Sequence, residues 1–245
     1  MYIKKALRCI LFCFSIININ YAMADDTPEK VYRGVGQIED PASVKRAGGF
    51  YSTGISLSTG NNPPINISLY NHVRGQESGA SNINSGYVST SSSFSAVNRW
   101  VTDFLMGRGW IYHIRPTPNF IGVNQVLGSY SPYPIEYEYS ALGVIHWRQV
   151  IGWQRVACGV PEPFIPNPDF SPELFPEPRV SVNQFQLAGF PDNHPAWGRA
   201  PWLEFAECEL RSSCSPKKSA QKYGEEFYEK SVVFNNAFRL SLINY

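Results

Sequence analysis

The 245-residue sequence predicts an α+β fold built from short strands. Three observations lead there. Gly and Pro number 19 each and aromatics make up 14%, which suits short strands and many turns better than a helix bundle. The segments "SGYVSTSSSF", "GWIYHIRP" and "VIGWQRV" read as strands, β-branched and aromatic. "PASVKRAGGF" and "SAVNRWVTDFLMGRG" read as helices with glycine stops, the second with Val97, Trp100, Val101, Phe104 and Leu105 at helical spacing.

The elements follow in chain order. Lys4, Lys5 and Arg8 precede an apolar run from Cys9 to Ile19, and Ala22-Met23-Ala24 is a small-x-small cleavage site. The run is too short to span a bilayer comfortably, so 1–24 is expected to be a removed export signal. No later stretch is apolar enough to cross a membrane. A core is expected over 25–160. From Pro161 the run "PEPFIPNPDFSPELFPEP" lacks too many backbone donors for a helix or central strand. It is expected to wrap the core as an extended segment, 161–207. "FQLAGFPDNHPAWGRAPW" brings aromatics back, so the chain packs again there. After Cys214, Pro216 and Ser219 suit a helix start. Tyr223, Phe227, Val232, Phe234 and Phe238 form an irregular apolar stripe in a tail, 215–245, which is expected to be ordered by a partner.

Formal charge is +1, so electrostatics give no case for nucleic acid. Cys9 and Cys13 would leave with the signal, while Cys158, Cys208 and Cys214 remain. In an oxidising compartment two of them can pair. Cys208 and Cys214 bound a short loop, 208–214, that contains Arg211, a trypsin-type cleavage site. A bridge there either staples a turn or holds two fragments together after a cut. Cys158 is the odd one.

"SPYPIEYEYSALG" places Glu136 and Glu138 one residue apart. On a strand both would face one cleft, about 7 Å apart at Cβ. Two carboxylates in different environments can divide a reaction, one facing developing positive charge on a sugar carbon and the other handling the acceptor's proton. A solvated strand face is the plainer reading of the pair alone. His113, His146 and His194 show no metal-ligand spacing and read as structural. There is no zinc motif, phosphate-binding glycine loop or nucleophile elbow, so no metal is expected.

The text around the pair resembles one family. "VLGSYSPYPIEYEYSALGVIHWRQVIGWQRV" is similar to the catalytic segment of the cholera toxin and heat-labile enterotoxin A subunits, with its acidic pair, "SALGGIP" and "GWYRV". "VYRG" looks like their first strand with its NAD-binding arginine, here Arg33. "PINISLYNHVRG" resembles "INLYDHARG", with His72 in the histidine position. "GYVSTSSS" matches the Ser-Thr-Ser strand, with Ser89 first. "LAGFPDNHPAWGRAPW" resembles "LAGFP…AW…PW".

The resemblance implies an ADP-ribosyltransferase fold, with two small sheets around an NAD cleft and a disulfide-linked helical tail. It implies mono-ADP-ribosylation of an arginine on a host heterotrimeric G protein α subunit, of the stimulatory type that raises cyclic AMP, with NAD+ as substrate and NAD hydrolysis as a side activity. Glu138 would stabilise charge on the ribose, held in its rotamer by Ser89. Glu136 would direct the acceptor. Arg33 suits the NAD phosphates or the strand framework beneath them, and His72 would orient the ribose. A Cys208–Cys214 disulfide around Arg211 would be the activation loop. The implied partner is a glycan-binding pentamer of B subunits, assembled through the tail. The implied location is periplasm, then the exterior, then the host cytosol, the membrane being crossed only during delivery. The sequence also departs from the family. Val35 stands where "YRADSRPP" has aspartate, "GVIHW" replaces "GGIPY", and the C-terminal retrieval tetrapeptide is absent. On the residues alone, a glycosidase using the Glu136/Glu138 pair and a decayed, non-catalytic binding protein remain open.

Overall fold

Strand β1 (Val31–Val35) is the first strand among the described residues, with Val31 and Val35 buried at its two ends. The computed structural model describes residues 27–56, 65–75, 84–210 and 213–232, so the expected export signal and Arg211 lie outside the described residues. Helix α1 (Pro41–Ala47) starts at Asp40, whose carboxylate accepts from the Ser43 amide at 2.7 Å, and Gly48 closes it. β2 (Gly49–Tyr51) and the single turn α2 (Thr53–Ser56) lead toward α3 (Leu69–Arg74). β3 (Tyr87–Ser91), α4 (Phe94–Phe104) and β4 (Gly109–Ile114) fall where the sequence places them. Then come β5 (Phe120–Gly122), α5 (Val123–Leu127), β6 (Glu138–Leu142), β7 (Val144–His146) and β8 (Val150–Ala157). Two short strands, β9 (Val160–Pro161) and β10 (Ile165–Pro166), both pair with β8 at the start of the proline-rich segment.

The main path runs β10-β8-β4-β1-β3-β6-β5, while β2 and β7 form a separate pair. β1 meets β4 along its whole length but meets β3 only at Tyr32↔Ser91. The path therefore behaves as two small sheets that part between β1 and β3, as the two-sheet expectation requires. That parting positions the cleft described below.

One core lies beneath the second sheet and continues into the later chain. Leu69, Leu127 and Leu142 pack with Leu187, Trp197 and Trp202, all buried. The segment after the prolines is thus part of the core. Its Gly189 has φ 62, and a Cβ there would stand 2.6 Å from the Ser68 Cα. The close approach lets the Ser68 hydroxyl donate to the Gly189 carbonyl at 2.7 Å while accepting from the Asn71 amide as the cap of α3.

One expectation, that of the tail, is corrected, while α4 is the helix that the spacing predicts. On α4, Val97 and Val101 are buried, but Trp100 is 40% and Phe104 72% exposed. Positions 97 and 101 form one i,i+4 row pressed into the sheet, whereas Trp100 in the neighbouring row touches it only with an indole edge at Gly34. The tail also docks on this chain. The hairpin β11 (Ala206–Leu210) and β12 (Ser213–Pro216) carries the Cys208–Cys214 disulfide, and α6 (Ala220–Val232) follows, with the Ser219 hydroxyl accepting from the Lys222 amide. Tyr223 and Phe227, one turn apart, are buried in the same core as Ile67 and Leu187. Phe234 and Phe238 lie outside the described residues. Phe227→Ala is expected to destabilise the full chain by about 3 kcal/mol, read from a denaturant melt. A melt unchanged within error would show that the docking contributes nothing.

Candidate active site

Arg33, at the centre of β1, reaches across the parting. Its guanidinium donates to the Ser89 carbonyl on β3 at 2.9 Å and lies 5.2 Å from the centre of the Phe50 ring. Its buried Nε has no hydrogen-bond partner among the described residues. Burial draws the guanidinium below its ordinary pKa against the opposing charges of Glu39 and Glu138, but an arginine so placed keeps its charge. Of the two roles open for Arg33 in the sequence, the geometry displays the strand framework directly.

Glu138 opens β6 and is buried. Its Oε1 accepts from the Ser140 hydroxyl at 2.8 Å and lies 3.3 Å from His72 Nε2. Ser89 Oγ lies 3.0 Å from the same His72 nitrogen and also hydrogen-bonds Glu138. His72 Nδ1 meets the Ser85 hydroxyl at 2.7 Å, and Ser85 accepts from the Tyr87 amide. Because an ionised carboxylate only accepts, the consistent tautomer has Nε2–H facing Glu138 and the Ser85 hydroxyl donating to Nδ1. Burial pushes the Glu138 carboxyl up, but the hydrogen bonds from His72, Ser140 and Ser89 outweigh it and hold the pKa below the ordinary value. Glu138 is a buried carboxylate kept ionised by the groups around it.

Glu136 is different, and here the geometry corrects the sequence reading. The two glutamates do not share a strand. Glu136 ends a 3₁₀ turn, Pro134–Glu136, Tyr137 takes a left-handed conformation at φ 49, and β6 begins only at Glu138. Pro134 starts the turn and the Tyr137 amide closes it on the Pro134 carbonyl. Glu136 is exposed as a residue. Partial burial of its carboxyl, and then the Glu138 charge, raise its pKa. The two carboxyls thus have opposite shifts in one site.

The polar strand that carries Ser89 also sets this turn. The Thr90 hydroxyl donates to the Tyr139 carbonyl and the Ser91 hydroxyl to the Glu136 carbonyl. Register pairs Ser91 with Glu138 and Ser89 with Ser140. Sequence reasoning missed Ser140 and Ser85. Ser140 was findable, since it lies two residues beyond Glu138 on the same strand face. Ser85 carried no local signal, because its partner His72 comes from α3, thirteen residues away in sequence.

A cavity of about 460 Å³ joins these groups, with Arg33, Ser89, Glu136 and Glu138 in its wall and Val35, Ile38 and Trp100 farther along. Val35 is buried at 2% exposure, so an apolar side chain stands where the related motif has an aspartate. Glu39, which also lines the cavity, places an acidic charge near Arg33 instead. A larger hollow of about 850 Å³ lies by Lys45, Arg148 and Asp169, braced by the Lys45–Asp169 ion pair at 2.7 Å. It contains neither glutamate of the pair. His146 lines this hollow, and none of His113, His146 and His194 lines the cavity of the glutamates. His113 bonds Gln154 at 2.9 Å, while His146 and His194 accept at the starts of 3₁₀ turns. Among the described residues no group of His, Cys, Asp and Glu is placed to hold a metal ion. Cys158 is exposed and unpaired.

The split sheet and cleft define the fold of an ADP-ribosylating toxin. The double mutant of heat-labile enterotoxin superposes with a TM-score of 0.66 at 31% identity, over 86% of this chain and 92% of that one. The chain belongs to the heat-labile enterotoxin alpha chain family, whose model matches residues 10–239. It is 40% identical over 185 residues to the heat-labile enterotoxin IIB A chain of Escherichia coli, covering 74% of this chain and 69% of that one. It is also 42% identical over 171 residues to the NAD(+)–arginine ADP-ribosyltransferase Chelt of Vibrio cholerae, covering 68% of this chain and 28% of the relative. The family uses NAD as a substrate.

Proposed function

We propose that this chain is the enzymatic subunit of a secreted toxin and transfers ADP-ribose from NAD+ to an arginine of a host protein. The observation that carries the reading is the buried Glu138, held ionised by His72, Ser89 and Ser140, in the same cavity as Glu136. The arginine acceptor is supported by the name of the Vibrio cholerae relative.

The chemistry follows from the two carboxyls. The bond between the nicotinamide nitrogen and the ribose carbon breaks, and its electron pair leaves with neutral nicotinamide. Positive charge develops on the ribose, as in glycosidase transition states, and Glu138 stabilises it where it forms. A guanidinium has a pKa above about 12 and is a poor nucleophile. Glu136 orients it and takes its proton late, after the new carbon–nitrogen bond has begun to form. Arg33 fixes the strand pair beneath Glu138, and its guanidinium, in the wall of the cavity, suits the NAD diphosphate. His72 and Ser89 hold the Glu138 rotamer, and His72 orients the ribose.

The finer parts of the reading are one proposal. Residues 25–160 supply the catalytic core, 161–207 complete it, 208–214 form the activation loop and 215–245 assemble with a glycan-binding B pentamer. The acceptor is a heterotrimeric G protein α subunit of the stimulatory class, reached in the host cytosol after export and delivery. NAD hydrolysis accompanies transfer. Incubating nicked, reduced protein with NAD+ and the guanidinium amine agmatine tests the reading by mass spectrometry. Free nicotinamide and ADP-ribosyl-agmatine are expected. Absence of both products from a correctly folded sample would reject it.

Two outcomes follow here. Arg211 within the disulfide loop motivates activation by cutting and reduction, since α6 sits on the core that carries α3 and His72. Trypsin and thiol together are expected to raise activity over either alone. Equal rates in all four samples would remove the idea. The second is a pH effect. The Glu136 pKa is raised and the Glu138 pKa lowered, so acidification protonates Glu136 first. Transfer is expected to fall before NAD hydrolysis as pH drops. Parallel pH profiles would contradict the assignment.

A further inference from the structure

From the cavity that Arg33, Glu136 and Glu138 line, we infer that the Trp100 indole is the platform on which the adenine of NAD+ stacks. The inference rests on the NAD reading above and adds the recognition of the substrate's far end. Trp100 projects from α4 into the cavity that Arg33, Glu136 and Glu138 also line. It is 40% exposed, although helical spacing would allow a tryptophan there to be buried. The strand beneath makes room for it. A Cβ on Gly34 would stand 2.8 Å from Val101 Cγ2 and 3.3 Å from Trp100 Cε3, so the indole edge lies on bare backbone. Ile38, Val97 and Leu105 extend the apolar wall around it.

The cavity wall therefore carries an arginine, the carboxylates of Glu39, Glu136 and Glu138 with hydroxyls, and a flat aromatic with aliphatic neighbours. A dinucleotide has the matching parts, with a ribose that acquires positive charge, a diphosphate, and a heteroaromatic base. With the reacting ribose at Glu138 and the diphosphate at Arg33, the base is left to Trp100. Stacking of a base on an aromatic ring needs no hydrogen-bond readout, which suits a ring set among Ile38, Val97 and Leu105. Phe104, with its ring centre 6.1 Å from that of Trp100, flanks the platform.

The test uses the full chain, nicked and reduced, with Trp100→Ala, Trp100→Leu and Trp100→Phe. Stacking losses on alanine substitution correspond to about tenfold in affinity. Trp100→Ala is expected to raise KM for NAD+ about tenfold with kcat within about twofold of wild type. Trp100→Leu, which keeps apolar bulk but no flat ring, is expected to behave similarly, and Trp100→Phe to restore most of the affinity. Inhibition by AMP should weaken in parallel, whereas inhibition by nicotinamide should not change. Thermal melts check that the variants fold. If KM and AMP inhibition stay at wild-type values in Trp100→Ala, or if only KM for the guanidinium acceptor rises, the platform assignment is wrong and the NAD reading stands. Failure of the wild-type chain to release nicotinamide would overturn both.

Discussion

Glu138→Gln is expected to lose NAD hydrolysis and transfer together, each by about 10²-fold or more, the scale for removing one preorganised electrostatic stabiliser. The substitution nearly preserves volume, so a loss of activity does not stem from a cavity. It exchanges a charge for a neutral amide at the point where positive charge develops. It also replaces one acceptor oxygen by a donor, which would oppose the donors from His72 or Ser140. The measurement is nicotinamide release and product transfer from one reaction, with a melt to confirm folding. A variant that still hydrolyses NAD+ at the wild-type rate would show that Glu138 is not the stabiliser.

Arg33→Lys is the second large effect. Lysine keeps the positive charge near Glu138 but not the planar fork. The guanidinium now spans the parting between β1 and β3, where the strands themselves pair only at Tyr32↔Ser91. Without that donor the Ser89 carbonyl loses its bond, and the strand that carries the Ser89 hydroxyl shifts beneath Glu138. A displacement on the order of 1 Å in such a site can cost about 10²-fold in rate. The expected result is therefore a loss of that size in both activities, with a melting temperature close to wild type. If activity survives in Arg33→Lys, charge alone is what the position requires and the framework role fails.

Much of the fold was legible because the local signals agreed with the packing. The α1 boundaries follow from Pro41 and Gly48, and the β3, β4 and β8 segments follow from their β-branched and aromatic residues. The burial of α4 was only half legible. Helical spacing identifies a stripe but not which of its two rows meets the sheet. The docking of Tyr223 and Phe227 was not legible, since a stripe on a tail looks the same whether it covers this chain or another. At the site, the family resemblance located Arg33, His72, Ser89, Glu136 and Glu138. It did not reveal that Tyr137 breaks the strand between the glutamates. That break arises from a left-handed residue other than glycine, which propensity alone disfavours. Its consequence is chemical, since it leaves Glu136 exposed while Glu138 is buried among hydroxyls and His72.

The division of roles between those glutamates is the central claim, and Glu136→Gln tests it most directly. One reaction containing NAD+ and agmatine gives both the ADP-ribose captured by water and the ADP-ribose captured by the guanidinium. Water needs less activation than a protonated guanidinium, so the ratio of transfer to hydrolysis is expected to fall by about 10²-fold, within the range for loss of a general base, while nicotinamide release largely persists. An unchanged ratio, with both activities reduced in the same proportion, would contradict the account.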